Sequence, residues 1–206
     1  MEELKKHLLS HSSYTPPQAS LDTLLSACDI ISVDRHDLVI SAGTVNRNLY
    51  IIKDGLCRIA WFDGMKEVTY GFGGPGIITL SPQGWFDRKE AFYFVSAVEK
   101  SILLRISRDR LTGLMEADAR LATWLFDQAI HQFYALETKS IILSGDTRER
   151  VMTLFKKDIE KALKPRMKGN NPYIRRISQR MLASYLGITT SHLAHLRREL
   201  LDNSKS

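Results

Sequence analysis

The chain is poor in cysteine, and this sets the first limits. Only Cys28 and Cys57 occur among 206 residues. Two thiols are too few for a disulfide framework or a four-thiolate metal site, and they suit a reducing cytoplasm. Long apolar runs are missing too. No stretch approaches the roughly 18 uninterrupted apolar residues of a membrane span. The first residues, MEELKKHLLSHSSYTPPQ, are polar and charged, so no secretory signal is expected. There is no Gly-x-Ser-x-Gly elbow and no P-loop. Histidine is scarce: the six are His7, His11, His36, His131, His192 and His195.

What is present describes a globular chain. Apolar residues make up 44% and charged residues 25%, near the average for folded domains, which excludes disorder, collagen and coiled coil alone. The net charge of +6 is unevenly placed. Residues 147–206 hold 14 lysines and arginines against 5 acids, a net of +9, whereas residues 1–146 carry a net of −3. Such a field concentrates a polyanion, and nucleic acid is the commonest one. The bland alternative is a merely soluble basic tail.

Three regions separate by pattern. The first, about 1–115, opens with short amphipathic helical pieces. Ser20 reads as an N-cap for Leu21–Ala27, with Leu21, Leu24 and Leu25 on one face. From about Ile31 to Ile106 the text becomes short β-like runs: DLVIS, NLYIIK, LCRIAWF, EVTYGF, AFYFVSAV and SILLRI. Between them stand Ala42-Gly43, Asp54-Gly55, Asp63-Gly64 and Gly73-Gly74-Pro75-Gly76. Asp-Gly between apolar runs signals a hairpin, because glycine accepts the positive φ of a tight turn. Many such strands predict an antiparallel barrel or roll. A metal-bearing roll would need histidines on its strands, and none lies between His36 and His131. No enzyme and no metal site is expected.

The second region is helical. A short helix is expected after Ser107, with Asp109 in its first turn. A longer pattern runs from about Asp118 to Ser144 without glycine or proline, roughly 40 Å at about 1.5 Å per residue. Its apolar residues form two stripes. Leu121, Leu125, Ala129 and Leu136 make one, with Trp124 beside it; Phe126, Ile130, Phe133 and Ile141 make the other. A helix apolar on two sides must be covered on two sides. Its own β-domain can cover one side and a second copy of the chain the other; a monomer's core helix is the alternative. Leu121, Leu125, Ala129 and Leu136 are assigned to dimerisation.

The third region begins at the break Gly145-Asp146. Asp146 can cap a helix with apolar positions Val151, Met152, Leu154, Phe155 and Ile159, before a basic, Pro/Gly/Asn-rich turn at Lys164–Pro172. The strongest local signal follows, ISQRMLASYLGITTSHLAHLRREL from Ile177 to Leu200. Ser178 is a good N-cap. Leu182, Ala183 and Leu186 form an inner face. Gly187 supplies a turn where a Cβ would be costly. Ile188 plugs the junction, Thr189 or Thr190 caps a second helix, and Leu193 and Leu196 form its inner face. Ala183 must be small because the second helix crosses above it. This is helix-turn-helix spacing; an ordinary helical hairpin is the alternative. The front and outer face of the second helix then carry Thr190, Ser191, His192 and His195 as base readers. Ser178, Arg180, Arg197 and Arg198 are placed to meet phosphates.

These residues resemble the Crp/Fnr family of bacterial transcription regulators, the cyclic-AMP receptor protein and fumarate–nitrate regulator group. The resemblance covers nearly all of 20–200. It is carried by SAGTVNRNLYIIKDGLCRIAWFDGMKEVTYGFGGPG, by AVEKSILLRISRDRL, by the long helix and by LASYLGITTSHLAHLRREL. It implies an α+β chain. An antiparallel β-roll of the cyclic-nucleotide-binding type would occupy 1–117, a dimerisation helix and hinge 118–145, and a helix-turn-helix domain of winged-helix type 146–206. It implies a homodimer on a palindromic promoter site in double-stranded DNA, with RNA polymerase as a further partner and no membrane.

The chain departs from the family in the roll. Relatives that bind cyclic nucleotides carry Gly-Glu after the Pro-Gly turn and then an Arg for the phosphate. Here Leu80-Ser81 stands in the first place, and AFYFVS has no Arg. Arg88 is near, but WFDRKEAF is not the phosphate-binding text. A buried phosphate without a positive partner is costly, so no cyclic nucleotide and no other cofactor is expected. Two cysteines likewise cannot hold an iron–sulfur cluster. The family's C-terminal hairpin after the second helix has no room before residue 206. The effector is left open. Trp61, Phe62, Tyr70, Phe72, Trp85, Phe86, Phe92, Tyr93 and Phe94 crowd the roll and could line an apolar cavity, although ordinary core and interface aromatics are the favoured reading. The second functional reading is a small-molecule-binding β-roll sensor with weak or vestigial DNA binding.

Overall fold

Strand β3 (Asn48–Asp54) organises the first half of the molecule, because Leu49, Tyr50, Ile51 and Ile52 are all buried and so face apolar neighbours on both sides. A computed structural model describes residues 1–10, 12–153 and 176–203. In it Leu49 and Ile51 join Leu104, Ile106, Leu21, Leu24 and Trp124 in one core. Tyr50 and Ile52 join Val39, Ile40, Cys57, Val95 and Leu103 in the other. Period-two alternation along the strand makes this possible.

The described chain is α+β. It opens with helices α1 (Glu2–Leu9) and α2 (Gln18–Ser26). Seven further strands accompany β3: β1 (Asp29–Val33), β2 (Leu38–Ile40), β4 (Cys57–Asp63), β5 (Lys66–Gly73), β6 (Ile78–Leu80), β7 (Phe94–Ala97) and β8 (Ser101–Ser107). They form two four-stranded sheets, in the orders β1-β8-β3-β6 and β2-β7-β4-β5. The β1-β8, β3-β8, β3-β6, β2-β7 and β4-β7 pairs are antiparallel. Thus the sheets enclose the second core, and helices cover the outer face of the first sheet with Leu4, Leu8, Leu111 and Leu121.

The expected runs lie on strands, with two differences: β1 and β6 are additional. β1 turns Ile31 and Val33 inward but exposes Ile30, so an apolar residue stands where alternation calls for a polar one, and β6 has only three residues. The turn glycines behave as expected. Gly55 has φ +95°, and a Cβ there would collide with the Ser101 side chain and backbone, so only glycine fits.

Ser20 is corrected. Helix α2 begins after Pro17, and Ser20 lies buried within it. Its hydroxyl donates to Asp118 Oδ2 at 2.5 Å. The Asp118 carboxylate in turn accepts from Arg120 N at 3.0 Å and so caps the following helix. The hydrogen bond from Ser20 leads the interactions that lower the Asp118 pKa.

Helix α3 (Pro82–Phe86), capped by Ser81, precedes β7. Helix α4 (Arg108–Ala117) starts where expected: the Ser107 hydroxyl accepts from Arg110 N, and Asp109 sits in the first turn. Helix α5 (Ala119–Ser144) follows. Beyond it, 147–153 is helical, then come α6 (Gln179–Leu186) and α7 (Thr190–Asn203). The expected positions Leu154, Phe155, Ile159 and Lys164–Pro172 lie outside the described residues. The chain divides into two compact units. One is 1–65 with 70–134 and the other is 66–69 with 135–206, so the division falls within α5.

Candidate nucleic-acid interface

Local bonds build the second unit. The Ser178 hydroxyl accepts from Met181 N at 3.2 Å, starting α6. Gly187 ends it with φ +70°, and its N–H donates to the Ala183 and Ser184 carbonyls. This left-handed stop suits glycine, which has no Cβ to strain. Ile188 N then donates to Ala183 O at 3.0 Å. Of the two threonines, Thr189 is the cap: its hydroxyl accepts from His192 N at 3.2 Å, and Thr190 is the first helical residue. Leu182, Ala183, Leu186, Leu193 and Leu196 are all buried, with Ile177 and Val151. Every inward position of the expected motif is therefore inward.

The outward positions follow. Thr190, Ser191, His192, His195 and Arg198 are exposed on α7, and Arg197 is half-buried. Ser191, His195 and Arg198 share one face by the i, i+4, i+7 rule. Ser178 and Arg180 are exposed at the start of α6. On α7, Glu199 is paired with Arg148 Nη1 at 2.9 Å, so this acid does not stand alone against an approaching polyanion. The Ser178 oxygen is already the helix cap, and its own proton remains a donor.

Two cationic side chains outside the expected set stand close behind this surface. Arg150 donates from Nε to Gly145 O at 3.0 Å and from Nη1 to Leu186 O at 3.4 Å. Lys139 lies over Tyr185, 4.5 Å from the ring centroid. Burial lowers the Lys139 amine to about 8 and raises the Tyr185 phenol. Arg150 is one of many cations in a basic segment and Lys139 has no motif around it, so only the fold could single them out.

Helix α5 shows two unlike faces. Leu121 and Trp124 are fully buried in the first unit's core, and Leu125 packs against it. The other stripe is open: Phe126 is 67% exposed, Phe133 63% and Ile141 72%, with Ile130 and Tyr134 also out. Ala129 and Leu136 are exposed as well. The assignment of Leu121 to a dimer surface is thus corrected, since its side chain is spent on its own core. The free apolar face belongs to the stripe of Phe126, Ile130, Phe133 and Ile141.

In the roll, the Leu80 carbonyl accepts from the Tyr93 hydroxyl and Ser81 caps α3. The pair Leu80-Ser81 thus ends β6 and starts α3. Burial raises the Tyr93 phenol to about 12, with Tyr70 adding to it. The aromatics pack on one another: Trp61 lies 6.0 Å from Tyr70 and 6.2 Å from Phe92, and Phe62 lies 5.1 Å from Phe94. Arg88 is exposed, at φ +55°. Arg58, which no sequence motif marks, is buried and lies over Phe94 at 5.8 Å. Among the described residues no group of three His, Cys, Asp or Glu could hold a metal ion. None of the described helices is long and apolar enough to cross a membrane.

No protein-family model matches the chain, and no curated protein matches it in sequence. Solved structures do match. The structure of FixK2 from Bradyrhizobium japonicum superposes with a TM-score of 0.68 at 17% identity, covering 85% of each chain. A cyclic nucleotide-binding domain containing protein from Listeria monocytogenes gives 0.67 at 16%, covering 89% of this chain and 91% of that one. The fold is that of the Crp/Fnr-type regulators. The c-di-GMP responsive global regulator CLP of Xanthomonas campestris agrees, at 0.65 and 16%, over 90% and 92%. A Crp/Fnr-type fold accounts for the roll, the long helix and the two helices about Gly187 together.

Proposed function

We propose that the protein is a homodimeric, sequence-specific DNA-binding transcription regulator that reads a palindromic promoter site. The observation that carries this reading is the capped turn around Gly187. It leaves Thr190, Ser191, His192 and His195 outward on α7 within a segment of net charge +9. A helix presented this way enters the major groove, and two of them in a dimer sit roughly 34 Å apart. Ser178, Arg180, Arg197 and Arg198 meet phosphates, which every sequence offers. The face bearing Phe126, Ile130 and Phe133 pairs with that of a second copy. Leu125 and Leu136, at its border, remain candidates for the same contact. The likeness to regulators of this fold supports the reading. RNA polymerase is the proposed downstream partner, and no enzymatic step is assigned.

Selection of genomic fragments, followed by binding across a salt series, tests it. Ser191→Ala and His195→Ala should each cost about 1–3 kcal/mol on the selected site and relax preference at one base pair. Arg198→Ala should weaken selected and scrambled DNA alike and lower the salt slope by about one ion. An unchanged ratio of selected to scrambled binding in both of the first two variants would remove the base-reading role. The roll's effector is unassigned. Cyclic AMP should not raise the melting temperature, as any ligand of the folded state must, because Leu80-Ser81 stands in the place of Gly-Glu and AFYFVS offers no Arg to the phosphate.

A further inference from the structure

We propose that Arg150 is the positioning residue that holds the reading helix at a set angle to the end of α5, and so sets the spacing at which two half-sites are read. This rests on the DNA-binding reading above. Arg150 stands just past the Gly145-Asp146 break. Asp146 restarts the helix at once: its carboxylate accepts from Glu149 N at 3.0 Å and its carbonyl from Arg150 N at 3.1 Å. The Arg150 side chain then spans two carbonyls of different origin. Gly145 O is the first beyond α5, and Leu186 O is the last of α6.

Carbonyls at helix ends lack intrahelical donors and carry the negative end of the helix dipole. A planar guanidinium holds two such acceptors in a fixed fork, whereas an ammonium is a single point charge on a flexible stem. The guanidinium also lies against the turn itself, since a Cβ on Gly187 would come 3.8 Å from Arg150 Nη1. A second contact joins the same two elements. Lys139, on the last turns of α5, lies over Tyr185, the residue before Leu186. Just past Gly187, α7 begins at Thr190, and its direction follows from α6 through the buried Leu193 and Leu196. Arg148 offers a contrast. It meets Glu199 with about half of its side chain exposed, and such surface pairs hold little.

The test uses the full chain and its selected site, with one base pair added to or removed from the spacer. Wild-type protein should discriminate strongly against both altered spacers. Arg150→Gln should lose about tenfold of that discrimination, or about 1.4 kcal/mol, while binding of a single half-site stays within about twofold. Arg150→Lys should behave like Arg150→Gln, and it decides the matter if the glutamine variant does not fold. Retained spacer preference in the folded variant overturns the proposal. So does an equal fall in half-site binding, which would mark a merely structural role. A DNA-free arm attaches spin labels to one chain through Ser140→Cys and Ala194→Cys in a Cys28→Ser, Cys57→Ala background. One narrow distance is expected while Arg150 is in place, and a broad distribution once Arg150→Gln is added. Should wild-type protein bind no DNA, the DNA reading falls, and equal label widths would separately overturn the role of Arg150.

Discussion

In the roll, neighbours in space are distant in sequence: Ile30 lies opposite Leu104, and Tyr50 opposite Arg105. In the C-terminal helices, each start and stop is written within a few residues, by Ser178 to Met181, Ala183 to Gly187 and Thr189 to His192. The difference has a physical consequence. The roll is held by two extended apolar cores, so an open turn such as the one at Gly64 can change while the strands stay in register. The second unit buries few apolar side chains among its described residues, chiefly Leu182, Leu186, Leu193 and Leu196 with Val151 and Ile177. There each cap is a larger share of what holds the helices, and stability overall is a small difference of large terms.

The strongest way to test this contrast is Trp124, fully buried on the core side of α5. Trp124→Ala should cost about 3–5 kcal/mol, read as a lower denaturation midpoint by the fluorescence of Trp61 and Trp85. Trp124→Phe should cost much less. The indole N–H is buried without an acceptor, so Phe loses area but also an unsatisfied donor. A phenylalanine variant as unstable as the alanine one would show that the core depends on the indole's shape.

The exposed stripe of α5 gives the next largest effect. Phe126→Glu with Phe133→Glu should leave the chain folded but monomeric in light scattering. Its affinity for a two-half-site DNA should fall by about 10²-fold or more, because the second contact is no longer tethered to the first. Leu121→Glu should instead unfold the first unit, since its side chain is core. A monomeric wild-type protein at micromolar concentration would break the contrast between the two faces.

A smaller effect is expected at the turn. Gly187→Ala forces a Cβ into φ +70° and should cost about 1–2 kcal/mol. Ser178→Ala should cost about 1 kcal/mol through the lost cap. Both are measured by urea midpoints of the second unit's helical signal. Equal losses from a cap removed in the roll, such as Ser107→Ala, would remove the distinction between local and long-range order.

Legibility follows the same division. The helix-turn-helix is readable because its signals are local: Gly187, its caps and the inward Leu182, Ala183, Leu193 and Leu196 all stand as expected. The strands with Asp-Gly turns are readable for the same reason. β1 and β6 are not, because the exposed Ile30 breaks the alternation of β1 and β6 is too short, and each takes its form from a strand distant in sequence, β8 for one and β3 for the other. Ser20 misleads because a serine before leucines is a good cap in isolation, whereas here it serves Asp118 across the fold. The two stripes of α5 are visible in sequence, but which one the first unit covers depends on the packing of α1 and α2. Arg150 has no local signature at all, since its acceptors are backbone carbonyls 5 and 36 residues away.

The last and smallest effect concerns Lys139, whose amine burial lowers from 10.5 to about 8. The Tyr185 ring beside it favours the charged form, but the loss of water outweighs it. Between about pH 8 and the ordinary value the unfolded chain holds the proton that the folded chain has released. Stability therefore rises with pH across that window, and the full penalty is present below it. The thiols act oppositely. Burial raises Cys28 and Cys57 from 9.0 to about 11, so the folded chain keeps protons that the unfolded chain loses, and stability falls above pH 9. The difference between wild type and Lys139→Met cancels the thiols and isolates the amine. The melting temperature of wild type should gain on that of Lys139→Met as pH rises from about 7.5 to about 9. A constant difference would mean that the ammonium keeps its water, and that its contact with Tyr185 is an ordinary surface one.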